Sequence, residues 1–486
     1  MDQPARHGRE DAKTALSASR HERALVVLTV LVGTVSTLLA ATIVNVAFPA
    51  LMQELHVGND SVQWVATGFL AATTSTMLGA AWGIERYGER NVFIAAMVVF
   101  AASSILGMLA WNLDALIAAR VLQGGAAGIV QPLSMVSLFR VFPPEARGRA
   151  MGLYGFGIVL APAVGPALGG ALVDAFGWRS IFALPLPLCV IALVLAARTL
   201  STRRADGARK FDFIGTLLLI AGLVALLNVP VAGHRAGWGA TQTLALGVAG
   251  IALGVAFVLW ERHSDRALLR VALFRHLGFT GAALVAFAYG AGLFGTTYLL
   301  PVLVQQVAAF NAAEAGVLLA PAGVALAFAM TIGGRLTDQV PVRYVVIAGL
   351  LLFAVSSALF MRAGATTGFW VLAAWIVIGR IGLGFIIPAL NVGAVQALEG
   401  SELTYASAGV NFIRQLGGAV GVNVLAVLLE WRQLVHPGQP ARAFHECFGV
   451  VTLAFLLAVL PAAWIGRRAT TKPPHGGGTR GTTPGR

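Results

Sequence analysis

Apolar runs of about twenty residues, each closed by a short polar stretch, follow one another along the whole 486-residue chain. Twenty residues of α-helix, at about 1.5 Å each, span the ~30 Å hydrocarbon core of a bilayer. The runs predict fourteen membrane helices, at about 24–50, 62–84, 91–111, 115–140, 151–173, 179–197, 213–231, 243–260, 277–305, 314–334, 344–361, 369–390, 405–429 and 447–466. An even number returns both termini to one side. In hydrocarbon every backbone N–H and C=O must be satisfied internally, so the implied fold class is an all-α, polytopic membrane protein.

The polar stretches differ in charge from one side to the other. The side of the termini holds 26 of the 34 Lys and Arg, whereas the opposite side has five: Arg179, Arg235, Arg362, Arg432 and Arg442. Positive loops stay in the cytoplasm during insertion. Both termini are therefore expected to be cytoplasmic, in a bacterial-type inner (plasma) membrane. Topology accounts for the formal charge of +13, and no nucleic-acid partner is needed to explain it. The three remaining arginines, Arg120, Arg380 and Arg414, fall inside helices. A mid-membrane arginine costs about 2.5 kcal/mol or more unless it is paired or faces water. Two readings stay open: the arginines bond helix-end carbonyls and carboxylates and hold the bundle together, or at least one faces a cavity and attracts an anionic or phosphorylated substrate. Arg380 is the leading position for the second.

Composition excludes several classes. Only 11% of the residues are charged and 57% are hydrophobic, against ~25% charge in a soluble domain. The first 23 residues are polar and basic with no apolar core, unlike a cleavable signal peptide, which leaves helix 1 as the insertion signal. Cys189 and Cys447 sit in or beside apolar runs and indicate neither a disulfide framework nor a metal site. No nucleophile-elbow, phosphate-loop or zinc motif is evident, and loops of about 15 residues leave little room for a membrane enzyme's chemistry. A retinal-type receptor would need an intramembrane lysine, and Lys13, Lys210 and Lys472 all lie outside the spans.

Several local patterns carry more. Helix 1 holds Leu39-Ala40-Ala41-Thr42-Ile43-Val44-Asn45-Val46-Ala47-Phe48-Pro49, with Thr34, Thr37, Ala41 and Asn45 forming one mildly polar stripe. Glu85-Arg86-Tyr87-Gly88-Glu89-Arg90 joins helices 2 and 3. Helix 4 places Arg120, Gln123, Gly124, Ala127 and Gln131 on one face. Helix 5 carries Pro162, then Gly165-Pro166-x-x-Gly169-Gly170. Such a segment makes a poor soluble helix. In hydrocarbon, neighbouring helices re-satisfy the freed backbone and small residues admit a close partner, so a bent, tightly packed interface helix is expected. The second half repeats the first: Gly334 to Asp338 follows helix 10 as Glu85 to Arg90 follows helix 2, and Arg380-x-x-x-Gly384 with Pro388 echoes Arg120-x-x-x-Gly124 with Pro132. Arg380, Gly384, Pro388 and Asn391 share a face; Arg414-Gln415-x-Gly417-Gly418 lies in helix 13.

From Ala24 to Gly466 these motifs resemble the fourteen-helix drug:proton antiporter branch of the major facilitator superfamily. The resemblance implies a cytoplasmic N-terminal segment at 1–23, a six-helix bundle at 24–197, a basic cytoplasmic linker at 198–212 and an inserted transmembrane hairpin at 213–260. A cytoplasmic stretch at 261–276 follows, whose mixture of charge with Leu268, Leu269, Val271, Leu273 and Phe274 reads as an interfacial amphipathic helix. The second six-helix bundle, 277–466, precedes a tail at 467–486 expected to be disordered.

The resemblance further implies a transporter rather than an enzyme, exporting amphipathic small molecules by alternating access. It would need no cofactor beyond the proton gradient; a periplasmic adaptor is left open. Ala40 stands where the branch pattern carries an acid, so any proton dependence is expected to run through another residue. An anionic-substrate or lipid-type carrier without standard proton coupling is the alternative. Candidate cavity residues are Thr37, Ala40, Asn45, Arg120, Gln123, Gln131, Tyr289, Arg380, Asn391 and Arg414. Candidate conformational residues are Glu85, Arg86, Gly88, Arg90, Pro162, Gly165, Pro166, Gly169, Gly170 and Asp338.

Overall fold

The computed structural model describes residues 19–202, 210–308, 310, 312–396, 398 and 401–466. The expected disordered tail, residues 1–18 and linker residues 203–209 lie outside them, as do the side chains of Pro162 and Pro166. Among the described residues the helical elements group into fourteen stretches. The first half contains α1 (Arg20–Leu55), α2 (59–87), α3 (Glu89–Met108), α4 (Leu113–Val141), α5 (Arg147–Phe176) and α6 (Ser180–Thr199). The middle contains α7 (Phe213–Ala236) and α8 (Thr241–His263). The second half contains α9 (Leu277–Gln306), α10 (Ala312–Gln339), α11 (Val342–Phe360), α12 (Phe369–Val395), α13 (Ser401–Val435) and α14 (Pro440–Ala462). Among the described residues ten helices are long and apolar enough to cross a membrane, a number compatible with the fourteen crossings expected.

Helix ends lie where the sequence supplies caps, which is why several helices outrun their apolar cores. Ser19 Oγ accepts from Glu22 N at 3.1 Å while the Glu22 carboxylate accepts from Ser19 N at 2.7 Å, so α1 starts at Arg20 rather than Ala24. Gly88, with φ at 82°, ends α2 by taking a backbone conformation closed to most side chains. α1 tightens to a 3₁₀ turn at Val44–Ala47, just before Pro49, then continues to Leu55.

The packing repeats. α1 packs on α4, α5 and α6, α2 on α4, and α3 on α4 and α6; α9 packs on α12, α13 and α14, α10 on α12, and α11 on α12 and α14. Adding eight to each helix number converts one set into the other. The halves meet reciprocally, α5 against α10 and α12, α13 against α2 and α4. Two six-helix bundles are thus related by a pseudo-two-fold axis, with two equivalent seams. The α7–α8 hairpin rests on α2 and α13, at one of these seams. Val248, Ile251 and Val255 of α8 are each more than half exposed, the surface that lipid covers.

Contacts are closest where side chains are absent. A Cβ on Gly124 or Gly128 of α4 would collide with the α2 backbone at Phe69 or Thr73, and one on Gly384 of α12 would collide with α10 at Ala329. The 264–276 stretch corrects the expectation of an interfacial helix. It is a loop with a 3₁₀ turn at Val271–Arg275, and Leu268, Leu269 and Leu273 are buried in the protein. Glu261, at the end of α8, fixes this loop by accepting from Leu269 N at 2.8 Å.

Candidate functional site

The termini of α1 and α14 share one face of the molecule, and on that face two carboxylates bind one half to the other. At one seam Asp338, near the end of α10, accepts from Gly148 N at 2.8 Å and Arg149 N at 3.0 Å. These are free N–H groups of the first turn of α5, where the helix dipole favours an anion. The approach is possible because Gly148 and Gly152 face Gly334 backbone to backbone. At the other seam Glu85, near the end of α2, accepts from Tyr405 Oη of α13 at 2.8 Å and pairs with Arg270 at 3.4 Å. Glu85 and Asp338 are the repeat-related acids, so each half contributes one latch.

Of the other residues in these motifs, Arg86 is exposed and Arg90 uses its backbone N–H to bond Ser201 O at 3.0 Å. Glu89 is 2% exposed and pairs with Arg140 at 2.7 Å, closing α3 on α4 within one half. Gly165 and Gly169 of α5 lie against Thr42 and Ile43 of α1, and Gly170 is near Val46, so this motif packs the first half internally.

Deeper in the bundle, polar side chains collect where α1, α4 and α5 face α9, α12 and α13. Thr34 Oγ1 lies 2.9 Å from Tyr154 Oη and 3.1 Å from Ser134 Oγ. Arg414 donates to Asn411 Oδ1 at 3.0 Å and reaches across the halves to Gln131 Oε1 at 3.4 Å. Asn411 in turn donates toward Met135 Sδ of α4 at 3.5 Å. Tyr289 of α9 lies within electrostatic range of both Arg380 and Arg414, and Tyr154 within range of Arg414.

Arg120 stands apart from this cluster. At 1% exposure it donates to Val65 O and Ala40 O, both at 3.1 Å, and to Gln123 Oε1 at 2.5 Å, with the Phe69 ring 4.2 Å from its guanidinium carbon. Gln123 passes the chain on to Ser104 Oγ at 2.7 Å. The carbonyls and the ring satisfy the cation without a carboxylate. Ala40 enters through its backbone, and Thr37 bonds Thr34 O at 2.8 Å, so both lie in helix packing. Asn45 is exposed near the far end of α1, away from the cluster, and Asn391 is buried in α12. A separate open depression of about 540 Å³ lies on the far side, between Val307 and the start of α14 with the Gly438–Gln439 turn before it.

The sequence profile of the Major Facilitator Superfamily matches residues 30–422 and 282–484. The chain belongs to the major facilitator superfamily. Among its superfamily relatives is the "Multidrug resistance protein B homolog" of Mycobacterium tuberculosis (strain ATCC 25618 / H37Rv), 31% identical over 89% of this chain and 78% of the relative. The "Probable multidrug resistance protein EmrY" of Escherichia coli (strain K12) is 31% identical over 84% and 80%. The "Uncharacterized MFS-type transporter YcnB" of Bacillus subtilis (strain 168) is 29% identical over 92% and 95%. The superfamily fold is shared with the crystal structure of the human organic anion transporter MFSD10 (TETRAN), at a TM-score of 0.68, 18% identity, and coverage of 90% of this chain and 99% of that one.

Sequence reasoning missed Tyr154, Ser134, Tyr405 and Arg270 of this superfamily member. A lone tyrosine inside an apolar run, as at 154, is the one signal that marks such a position beforehand. The Gly148–Gly152 pair that admits α10 gave no signal beyond its four-residue spacing.

Proposed function

We propose that the chain is a secondary active exporter of amphipathic small molecules, driven by the proton gradient and working by alternating access between its two halves. The observation that carries the reading is the seam. Arg414 and Gln131 meet across it amid a polar layer, while Glu85 and Asp338 hold the terminal side shut. Each latch consists of a few bonds to a carboxylate that water can also solvate, so opening costs only a few increments of about 1.5–3 kcal/mol, the net worth of a hydrogen bond to a charged group. Rocking of one bundle against the other then exposes the polar layer to alternate faces.

The excess of Lys and Arg on the terminal side supports placing that side in the cytoplasm of an inner membrane. The latched arrangement is then closed toward the cytoplasm. The multidrug-resistance names of the relatives support an export role.

Everted vesicles carrying the full chain, screened with amphipathic dyes of both charges, test the reading. Accumulation that rises when the vesicle interior is acidified and collapses with a protonophore is the expected result. Transport indifferent to the imposed gradient removes the proton drive; no accumulation of any dye removes the exporter.

A further inference from the structure

The two halves treat their equivalent arginines differently. Arg120 is followed three residues on by Gln123, which both accepts from it and bonds Ser104. Arg380 holds the matching place in α12, and a serine pair, Ser356-Ser357, lies beside it as Ser103-Ser104 lies in α3. The residue three positions on is Leu383, which has nothing to accept with. Among the described residues Arg380 makes one hydrogen bond, to Thr297 Oγ1 at 3.3 Å, and its side chain stays partly exposed. A cavity of about 10 Å³, room for about one water, adjoins it between Thr296, Ser356 and Ser357.

Arg414 is likewise bonded only to neutral groups, Gln131 and Asn411. Tyr289, 2% exposed, lies in electrostatic range of both arginines and has no hydrogen-bond partner among the described residues. The second half therefore presents two guanidiniums and a free phenol without a carboxylate salt bridge to either arginine among the described residues. Uncompensated cations at this depth call for a mobile counter-charge.

We propose that Arg380 and Arg414, with Tyr289, bind the anionic headgroup of the transported amphipath, a carboxylate or sulfonate on an apolar body. The guanidinium forks match the two oxygens of such a group, and the phenol supplies a further donor. The inference rests on the exporter reading and names its substrate class.

The test uses the full chain in phosphatidylcholine nanodiscs with radiolabelled decanesulfonate and decyltrimethylammonium below their micellar concentrations. The two probes share a tail and differ in charge. Decanesulfonate should bind the more tightly; Arg380→Gln or Arg414→Gln should weaken it by about tenfold or more, the loss of one charge-assisted bond. Arg380→Lys should keep most of the affinity, and Arg362→Gln, exposed on the far side, should keep all of it. Monodisperse elution of each variant shows that it is folded.

Sulfonate binding unchanged by both Gln substitutions, or tighter binding of the cation, overturns the proposal. Competition by phosphatidylglycerol that disappears in Arg380→Gln assigns the anion to a lipid headgroup, and its absence assigns a soluble amphipath; either sustains the site. In vesicles, export of the cationic probe but not the anionic one overturns this inference alone. If neither probe moves, the exporter reading falls.

Discussion

Neutralising Asp338 should unfasten the terminal side. In Asp338→Asn the amide oxygen can still accept from Gly148 N or Arg149 N, but the second bond and the charge at the α5 N-terminus are lost. A hydrogen bond to a charged group is worth about 1.5–3 kcal/mol, and a carboxylate at a helix N-terminus about 0.3–1 kcal/mol. The Arg149 side chain is 67% exposed, so water reaches this edge and the lower figures apply. Their sum, about 2 kcal/mol, shifts the closed–open equilibrium roughly 30-fold at 1.4 kcal/mol per decade. Met330, 2% exposed and packed where a Cβ on Gly155 would meet it, reports the opening. With Cys189 and Cys447 replaced by Ala, Met330→Cys in inside-out vesicles should react with an impermeant maleimide up to about 30 times faster when Asp338→Asn is added. Equal labelling rates with and without the Asn would refute the latch.

Two further outcomes follow from the same geometry. Gly334→Val would thrust a branched side chain into the backbone of Gly148 and Gly152, so closure at the α5–α10 seam should fail, with high maleimide reactivity at Met330→Cys and transport near zero even though Asp338 is intact. Arg120→Gln should act on stability alone: breaking a buried network of three bonds costs about 3 kcal/mol, visible as a lower thermal unfolding temperature, while the preference for anionic over cationic ligand stays as in the parent.

Much of the architecture was legible because a bilayer demands long apolar runs, and the glycine that stops α2 at position 88 stands out in the chain. What could not be read is what lies on the other side of each residue. Leu268, Leu269 and Leu273 have the spacing of a helix lying on lipid, yet the apolar surface they meet is protein, and leucine periodicity is the same for both. Arg120 and Arg380 look alike in sequence, each four residues before a glycine on a helix of the same register. Their environments diverge because Arg120 is held by the carbonyls of Val65 and Ala40, groups every residue carries and no sequence pattern marks. The written difference that bears on the arginine is Gln123 against Leu383. Asp338 could be placed in a loop from its neighbours, but its partners are backbone N–H groups 190 and 189 residues away in the chain.

The α7–α8 hairpin breaks an otherwise balanced design. Because it leans on α2 and α13, the protein shows the surrounding lipid two unequal flanks: one walled by an extra pair of helices, the other formed by α5 and α10 themselves. A hydrophobic solute dissolved in the membrane therefore meets one seam behind an extra pair of helices and the other uncovered, so the protein's lipid-facing circumference is unequal on its two sides.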